Sequence, residues 1–360
     1  MKITKNEKLI RYIESLIDTN YLNMSLSDML SEVIGNRNIT DKNEIDALKN
    51  KFKENDLSLL MNKCLEYWEI DTDSEEDMEI FKTRIIPSFK EIDINKYLNN
   101  PYYKNIKIRN IVDGEYSLVN DHYVPYEIFA YQDMEVNPNF EEINSLSFFK
   151  SDFFFPAINY RNTTWMSITP NEIETMQKAV NEAYGVVTVY GLGLGYFPYM
   201  ISLKESVKEI IIIEKDKKIV TLFKKYLLPQ FQNKEKITII ENDAFNYMQE
   251  SHYFDYSFID LWHNPLDGIE LFLRCKKLEK ENKRYFYWLE SSFYILLRRC
   301  FISFLEEQLA GAKEENYQKS KNITDTIINT YFKKTKNLVL SDIFQIQDLL
   351  SDKSLLDLLK

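Results

Sequence analysis

From residue 185 onward the chain alternates between short β-branched runs and amphipathic helical stretches, and that alternation leaves few folds open. "VVTVY", "VKEIIIIE", "KITIIEND", "FDYSFID" and "RYFYWLE" read as five strands. Between them "YFPYMISLKES", "KKIVTLFKKYLLPQF", "AFNYMQES" and "GIELFLRCKKLEKEN" carry helical spacing. Strict alternation of this kind specifies a parallel sheet with helices on both faces. The predicted class is α/β, a doubly wound parallel sheet over residues 169–310. "TPNEIETMQKAVNEAYG" opens it as a helix, with Thr169 as N-cap and Pro170 at the first helical position.

Residues 1–104 read as an N-terminal helical region. Leu9, Ile10, Ile13, Leu16 and Ile17 recur at helical spacing, and "NEIDALKNKFKENDLSLLMNKCLEYW" continues in that style. The acidic run "DTDSEEDME" reads as a solvated loop or a helix start. Residues 105–168 turn to extended, aromatic-rich pieces punctuated by Gly114 and Pro125, a small β-rich subdomain. Residues 311–360 return to helix as a C-terminal tail, with no strand pair in view.

Composition narrows the partners. The formal net charge is -11, which argues against long nucleic acid, because binding to a phosphate backbone runs on Lys and Arg. The opening "MKITKNEKLIRYIESLIDTN" is charged throughout, unlike a signal peptide. The most apolar stretch, "YFYWLESSFYILLRRCFISFL", is broken by Glu290, Arg298 and Arg299, so no membrane span is expected. Three cysteines without a CxxC pair and three histidines argue against a zinc site or a disulfide framework. A reducing cytoplasm fits, and the excess of Lys, Asn and Ile implies an AT-rich bacterial origin.

Four of the chain's eight glycines fall between residues 185 and 195, in "GVVTVYGLGLGYF". Glycines at the end of a first parallel strand admit unusual torsions and let a ligand approach the main chain. Counting from Gly191, Tyr196 stands where a dinucleotide fingerprint needs its third glycine, and no GK[ST] follows for a phosphate loop. The spacing present is GxGxG.

With that loop, the segment from about residue 165 to 290 resembles the class I S-adenosylmethionine-dependent methyltransferases, a Rossmann-like family. The resemblance implies that Gly191, Gly193 and Gly195 wrap the methionine part of S-adenosylmethionine. It implies that Glu214, ending the second strand, grips both ribose hydroxyls, a task suited to a carboxylate. Asp243 then reads the adenine amino group, with the Ala244 backbone N–H available to the ring. Trp165 and Ser167 fall where many such enzymes close a loop over the cofactor. Asp260, ending the fourth strand, faces the sulfonium and is the candidate catalytic residue. Val189 departs from the pattern, because many members carry an acid there. The aminopropyltransferases related to spermidine synthase share the fold and also have an apolar residue at that position. The late antiparallel strand pair of methyltransferases is not evident after residue 300.

Trp262, His263 and Glu290 are substrate-side candidates. Asn264-Pro265 is similar to the [DN]PP[YF] signature of amino-methylating enzymes, but Leu266 and Asp267 break it, so nucleobase methylation is not inferred. The expectation is a methyltransferase that uses S-adenosylmethionine and aligns a small-molecule or protein acceptor with the methyl group. Aminopropyl transfer from the decarboxylated cofactor is the second reading. A non-catalytic cofactor-binding scaffold is the third, disfavoured because the glycines, Glu214 and Asp243 are all intact. "IDLWHNPLDG" holds only Asp260 and Asp267 as acids, sparse for a polyamine site, and the glycine-loop N–H groups suit a carboxylate. Intact S-adenosylmethionine is therefore expected to bind more tightly than its decarboxylated form.

Overall fold

The β-branched runs pair as their alternation requires. A computed structural model describes residues 1–39 and 41–360, and at its centre stands a five-stranded parallel sheet. Its strands in chain order are Gly185–Tyr190, Val207–Glu214, Ile237–Glu241, Tyr256–Ile259 and Arg284–Tyr287. In space the order is third, second, first, fourth, fifth. Direction of winding reverses beside the first strand, so the crevice opens past the carboxyl ends of the first and fourth. Register sets what stands there: Tyr190 pairs with Ile213 on one side and Ile259 on the other. Gly191, Glu214 and Asp260 each follow by one residue and therefore share one edge.

Both faces of the sheet are covered, which explains its near-continuous Val and Ile. Val187, Val189, Ile210, Ile212 and Ile213 are all buried. Helices Tyr196–Ser202, Lys217–Leu222, Ala244–Gln249 and Pro265–Leu278 form the crossovers. "NPLD" is helix-start chemistry: Asn264 accepts from Leu266 and Asp267 N–H, while the Asp267 carboxylate accepts from Asn264 N–H. The mixed α/β class with a parallel sheet is thus the one the sequence implies. Thr169 holds the N-cap position of helix Pro170–Glu182, but its side chain makes no capping bond.

Elsewhere the packing ignores simple divisions of the chain. Helix Glu7–Val33 places Leu9, Ile13 and Leu16 in the large core around the parallel sheet. Its later residues Leu26, Leu30 and Val33 join a smaller core with Ile45, Leu59, Phe81, Ile128 and Phe148. The acidic run begins a helix, Glu75–Ile80, with Ser74 as its cap. Strand Phe89–Glu91 lies within the helical stretch and pairs with Leu146–Phe148. Four strands, Ile111–Asp113, Tyr116–Tyr123, Phe153–Tyr160 and Thr163–Ser167, make an antiparallel sheet. Val339–Leu340 pairs with Lys2–Ile3, a strand pair too short for any periodicity to announce.

Helix Glu290–Leu309 carries its two arginines inward to partners. Arg298 donates to Leu350 O and pairs with Asp352, and Arg299 pairs with Glu142. Among the described residues no helix is long and apolar enough to cross a membrane.

Candidate active site

The glycine loop is held by close approach. Gly191 has φ +95°, and a Cβ there would lie 2.0 Å from the Asp260 carbonyl oxygen. Only glycine lets the loop lie against the end of the fourth strand. Gly195, at φ +76°, starts helix Tyr196–Ser202 where a Cβ would lie 2.4 Å from the Phe223 ring. Several loop groups are already committed. Gly191 N–H donates to Ile213 O at 3.0 Å, Gly195 N–H to Leu192 O at 3.0 Å, and Leu192 N–H to Glu214 Oε2 at 3.1 Å. The Tyr102 hydroxyl donates to Leu194 O at 2.6 Å.

A cavity of about 480 Å³ opens above this loop, a size suited to a small organic ligand. Gly191, Gly193, Gly195, Glu214, Asp243, Ala244, Trp165, Ser167 and Asp260 all line it. Glu214 accepts Leu192 N–H on one oxygen and Asp216 N–H, at 2.8 Å, on the other. Each oxygen keeps a lone pair, so the carboxylate is both braced and open to a diol. Asp243 caps helix Ala244–Gln249, and Phe245 and Asn246 N–H both bond its Oδ1. Its Oδ2 retains acceptor capacity, and Ala244 N–H stands in the first helical turn, without an intrahelical acceptor. Trp165 and Ser167 lie on strand Thr163–Ser167 at the cavity wall.

The residue that sequence reasoning missed is Glu172. It sits in the first turn of helix Pro170–Glu182 and lines the same cavity as Asp260, whose charge acts on it. Burial, and after it the Glu214 charge, push the Asp260 carboxyl from 3.8 up to about 7. Glu172 is raised well above the ordinary glutamate value, by burial first and by Asp260 second. Two carboxyls in one low-dielectric space resist carrying two charges. With Glu214 and Asp243 the lining holds four carboxylates against one ammonium, that of exposed Lys215. The only sequence signal for Glu172 was an acid in a first helical turn, which ordinarily serves the helix dipole.

The substrate-side candidates divide. His263 lines the cavity but is exposed, with Nδ1 3.1 Å from Asp267 Oδ2. Trp262 also lines the cavity, from a buried position rather than from the rim. Its Nε1–H donates to Trp288 O at 3.1 Å, and its ring packs edge-on to Phe293. Gly268 makes that possible, since a Cβ there would lie 2.6 Å from Trp262. Glu290 is outside the cavity lining. Leu289, in a left-handed turn at φ 56°, starts helix Glu290–Leu309, and Glu290 pairs with Lys276 at 2.8 Å.

Comparison with known proteins bears on the same segment. A family model described as "Spermine/spermidine synthase domain" matches residues 179–274. A comparison with curated proteins gives no match. Among solved structures, a spermidine synthase from Thermotoga maritima is 17% identical, with 42% of this chain and 60% of that one covered and a TM-score of 0.29. A spermidine synthase in complex with the transition state analogue AdoDATO is 18% identical, with 42% and 59% covered and a TM-score of 0.29. A probable spermidine synthase from Corynebacterium glutamicum is 13% identical, with 37% and 55% covered and a TM-score of 0.28. The chain thus spans less than two thirds of the length of each.

The family match corrects the first expectation of function. The domain matched is that of spermine and spermidine synthases, so the methyltransferase reading, with intact S-adenosylmethionine as cofactor, does not stand. Two physical reasons accompany the correction. The acid count near the fourth strand omitted Glu172, and the loop N–H groups of Gly191, Leu192 and Gly195 already have acceptors.

Proposed function

We propose that this chain transfers the aminopropyl group of decarboxylated S-adenosylmethionine to an amine acceptor. The observation that carries the proposal is the acid lining: Glu172 and Asp260 share a cavity lined by four carboxyl groups and one ammonium. Decarboxylated S-adenosylmethionine bears a sulfonium and an ammonium and lacks a carboxylate, so its charge complements that lining. The intact form would bring a third negative charge toward a pair that already resists two.

In this reading Glu214 accepts the ribose hydroxyls and Asp243 Oδ2 the adenine amino group, with Ala244 N–H toward the ring. The glycine loop backs the chain of the nucleoside, and Trp165 and Ser167 form the wall. Glu172 holds the aminopropyl ammonium. The acceptor amine must attack with its lone pair free, and Asp260, with a pKa near 7, is matched to take its proton. The new N–C bond forms at the carbon beside sulfur. The C–S bond breaks with its electron pair going to sulfur, which leaves neutral 5′-methylthioadenosine. Positioning supplies much of the rate, since the sulfonium is already an activated leaving group. The acceptor is a small amine rather than long nucleic acid, in keeping with the net charge of -11.

The test is turnover. The full chain is incubated with decarboxylated S-adenosylmethionine and a panel of mono-, di- and triamines, and products are read by mass spectrometry. Release of 5′-methylthioadenosine together with an aminopropylated amine supports the reading. A folded protein that releases none with any amine of the panel refutes it.

A further inference from the structure

The strand order makes the two ends of the cavity chemically different. Third, second, first, fourth and fifth strands follow one another, so the lining can be traced along their carboxyl ends. At one end stand Asp243, just beyond the third strand, and Glu214, closing the second. Trp165, the extra residue of a bulge between Thr164 and Met166, belongs to that end, because a smaller hollow there is lined by both it and Asp216. At the opposite end Asp260 follows the fourth strand and Trp288 the fifth. Trp288 N–H donates to Ile259 O at 3.0 Å, which sets it beside the start of the Asp260 loop.

Helix Pro170–Glu182 completes this second end. Glu172 and Met176 are one helical turn apart and both line the cavity, so they share one face of the helix. Between them in sequence, the Thr175 hydroxyl accepts Trp288 Nε1–H at 2.8 Å and fixes the helix against the end of the fifth strand. Trp262 Nε1–H is committed in the same way, to Trp288 O. An indole has one polar atom, and both indoles use theirs inside the protein. What Met176, Trp262 and Trp288 offer the cavity is therefore ring carbon and a thioether. They are 4%, 6% and 5% exposed, so a group seated against them is taken out of water.

We infer that the acceptor is a primary monoamine with an apolar alkyl or arylalkyl tail, which lies against Met176, Trp262 and Trp288. The inference rests on the aminopropyl-transfer reading, and a count of charges carries it. Among the described residues the lining holds four carboxyl groups, and the proposed reaction uses each of them. Glu214 and Asp243 hold the nucleoside, Glu172 the aminopropyl ammonium, and Asp260 receives the proton of the attacking amine. None is left for a second ammonium on the acceptor. At the mouth, the Asp267 carboxylate already accepts from His263 N–H, Asn264 N–H and the His263 ring. An indole face attracts a cation, but that attraction alone does not offset the loss of water around an ammonium without a counter-charge. An apolar tail has no such cost and gains from leaving water. The bonds made and broken are those of the proposed reaction, and the product is the N-(3-aminopropyl) derivative of the monoamine.

The experiment compares two amines of equal length on the full, unmodified chain with saturating decarboxylated S-adenosylmethionine. Hexylamine and 1,5-diaminopentane differ only in a terminal methyl group against a terminal ammonium. Hexylamine is expected to show at least about tenfold higher kcat/KM, read as 5′-methylthioadenosine released. Met176→Ala then locates the tail. It should lower kcat/KM for hexylamine about fivefold and for ethylamine, too short to gain much from the wall, by less than about twofold. A preference below tenfold, or one for the diamine, overturns the inference while aminopropyl transfer stands. So does a Met176→Ala loss that is equal for the two monoamines. The comparison on the unmodified chain decides the matter even where the variant does not fold. No 5′-methylthioadenosine with any amine instead overturns the underlying reading.

Discussion

Asp260→Asn should make the protein more stable at alkaline pH, although it removes the residue assigned to the chemistry. The folded chain delays ionisation of Asp260 to about pH 7, against 3.8 for an unperturbed aspartate. A carboxyl whose folded pKa is raised stabilises fully below its unfolded pKa, and that contribution is lost as pH rises through the folded value. At about 1.4 kcal/mol per pKa unit, the charge costs the protein on the order of 4 kcal/mol at pH 8, and roughly 2 kcal/mol at pH 5. Asparagine keeps the shape and cannot ionise. Relative to the unmodified protein, the variant should therefore gain roughly 2–3 kcal/mol between pH 5 and pH 8. Glu172 acts in the same direction, because losing the Asp260 charge makes its own ionisation easier. Urea denaturation of both proteins at the two pH values measures the difference, provided the denaturant slopes agree. An advantage equal at pH 5 and pH 8 would mean that Asp260 is an ordinary solvated carboxylate. The burial and like-charge repulsion assigned to Asp260 would then be wrong.

Three further outcomes are expected. kcat/KM for aminopropyl transfer should rise as pH climbs through about 7, because Asp260 must be ionised to accept the amine proton; Asp260→Asn should lose the rise and about 10²–10⁴-fold in rate. Glu214→Gln should weaken nucleoside binding by roughly ten- to a hundredfold, and should shift the pH–rate midpoint downward because the Glu214 charge helps to raise Asp260; calorimetry and the pH–rate profile report the two effects separately. Gly191→Ala should destabilise the fold by more than about 2 kcal/mol, since a Cβ there meets Asp260 O at 2.0 Å. Gly193→Ala, with nothing within 4 Å of the added atom, should cost only about 1–2 kcal/mol, and urea unfolding ranks the two.

What was legible in the sequence is what period and punctuation encode. "VVTVY" and "VKEIIIIE" announce strands buried on both faces, and GxGxG announces the crevice loop between them. Gly191, Glu214, Asp243 and Asp260 could be placed on one edge because each stands at or just beyond a strand end. Glu172 could not, because it reaches Asp260 across 88 residues of chain through the angle at which one helix meets the sheet. Trp262 misled for a related reason. Its place after Asp260 implies a rim; it does line the cavity, but the missing side chain at Gly268 lets most of the indole sink into the core. Glu290 was misplaced by a left-handed turn at Leu289, a residue type that gives no hint of one. Trp165 looked like a lid residue. Its bulge is a shift of register, which depends on the partner strand rather than on its own neighbours.

The central claim is that the cavity is built for a cation without a carboxylate. Its most direct test is a side-by-side titration of the unmodified protein with decarboxylated and intact S-adenosylmethionine at pH 8. The paired acids Glu172 and Asp260 should make the decarboxylated form bind at least about tenfold more tightly, the effect of one unfavourable charge contact near a buried carboxylate. Equal affinity, or preference for the intact form, would contradict the account.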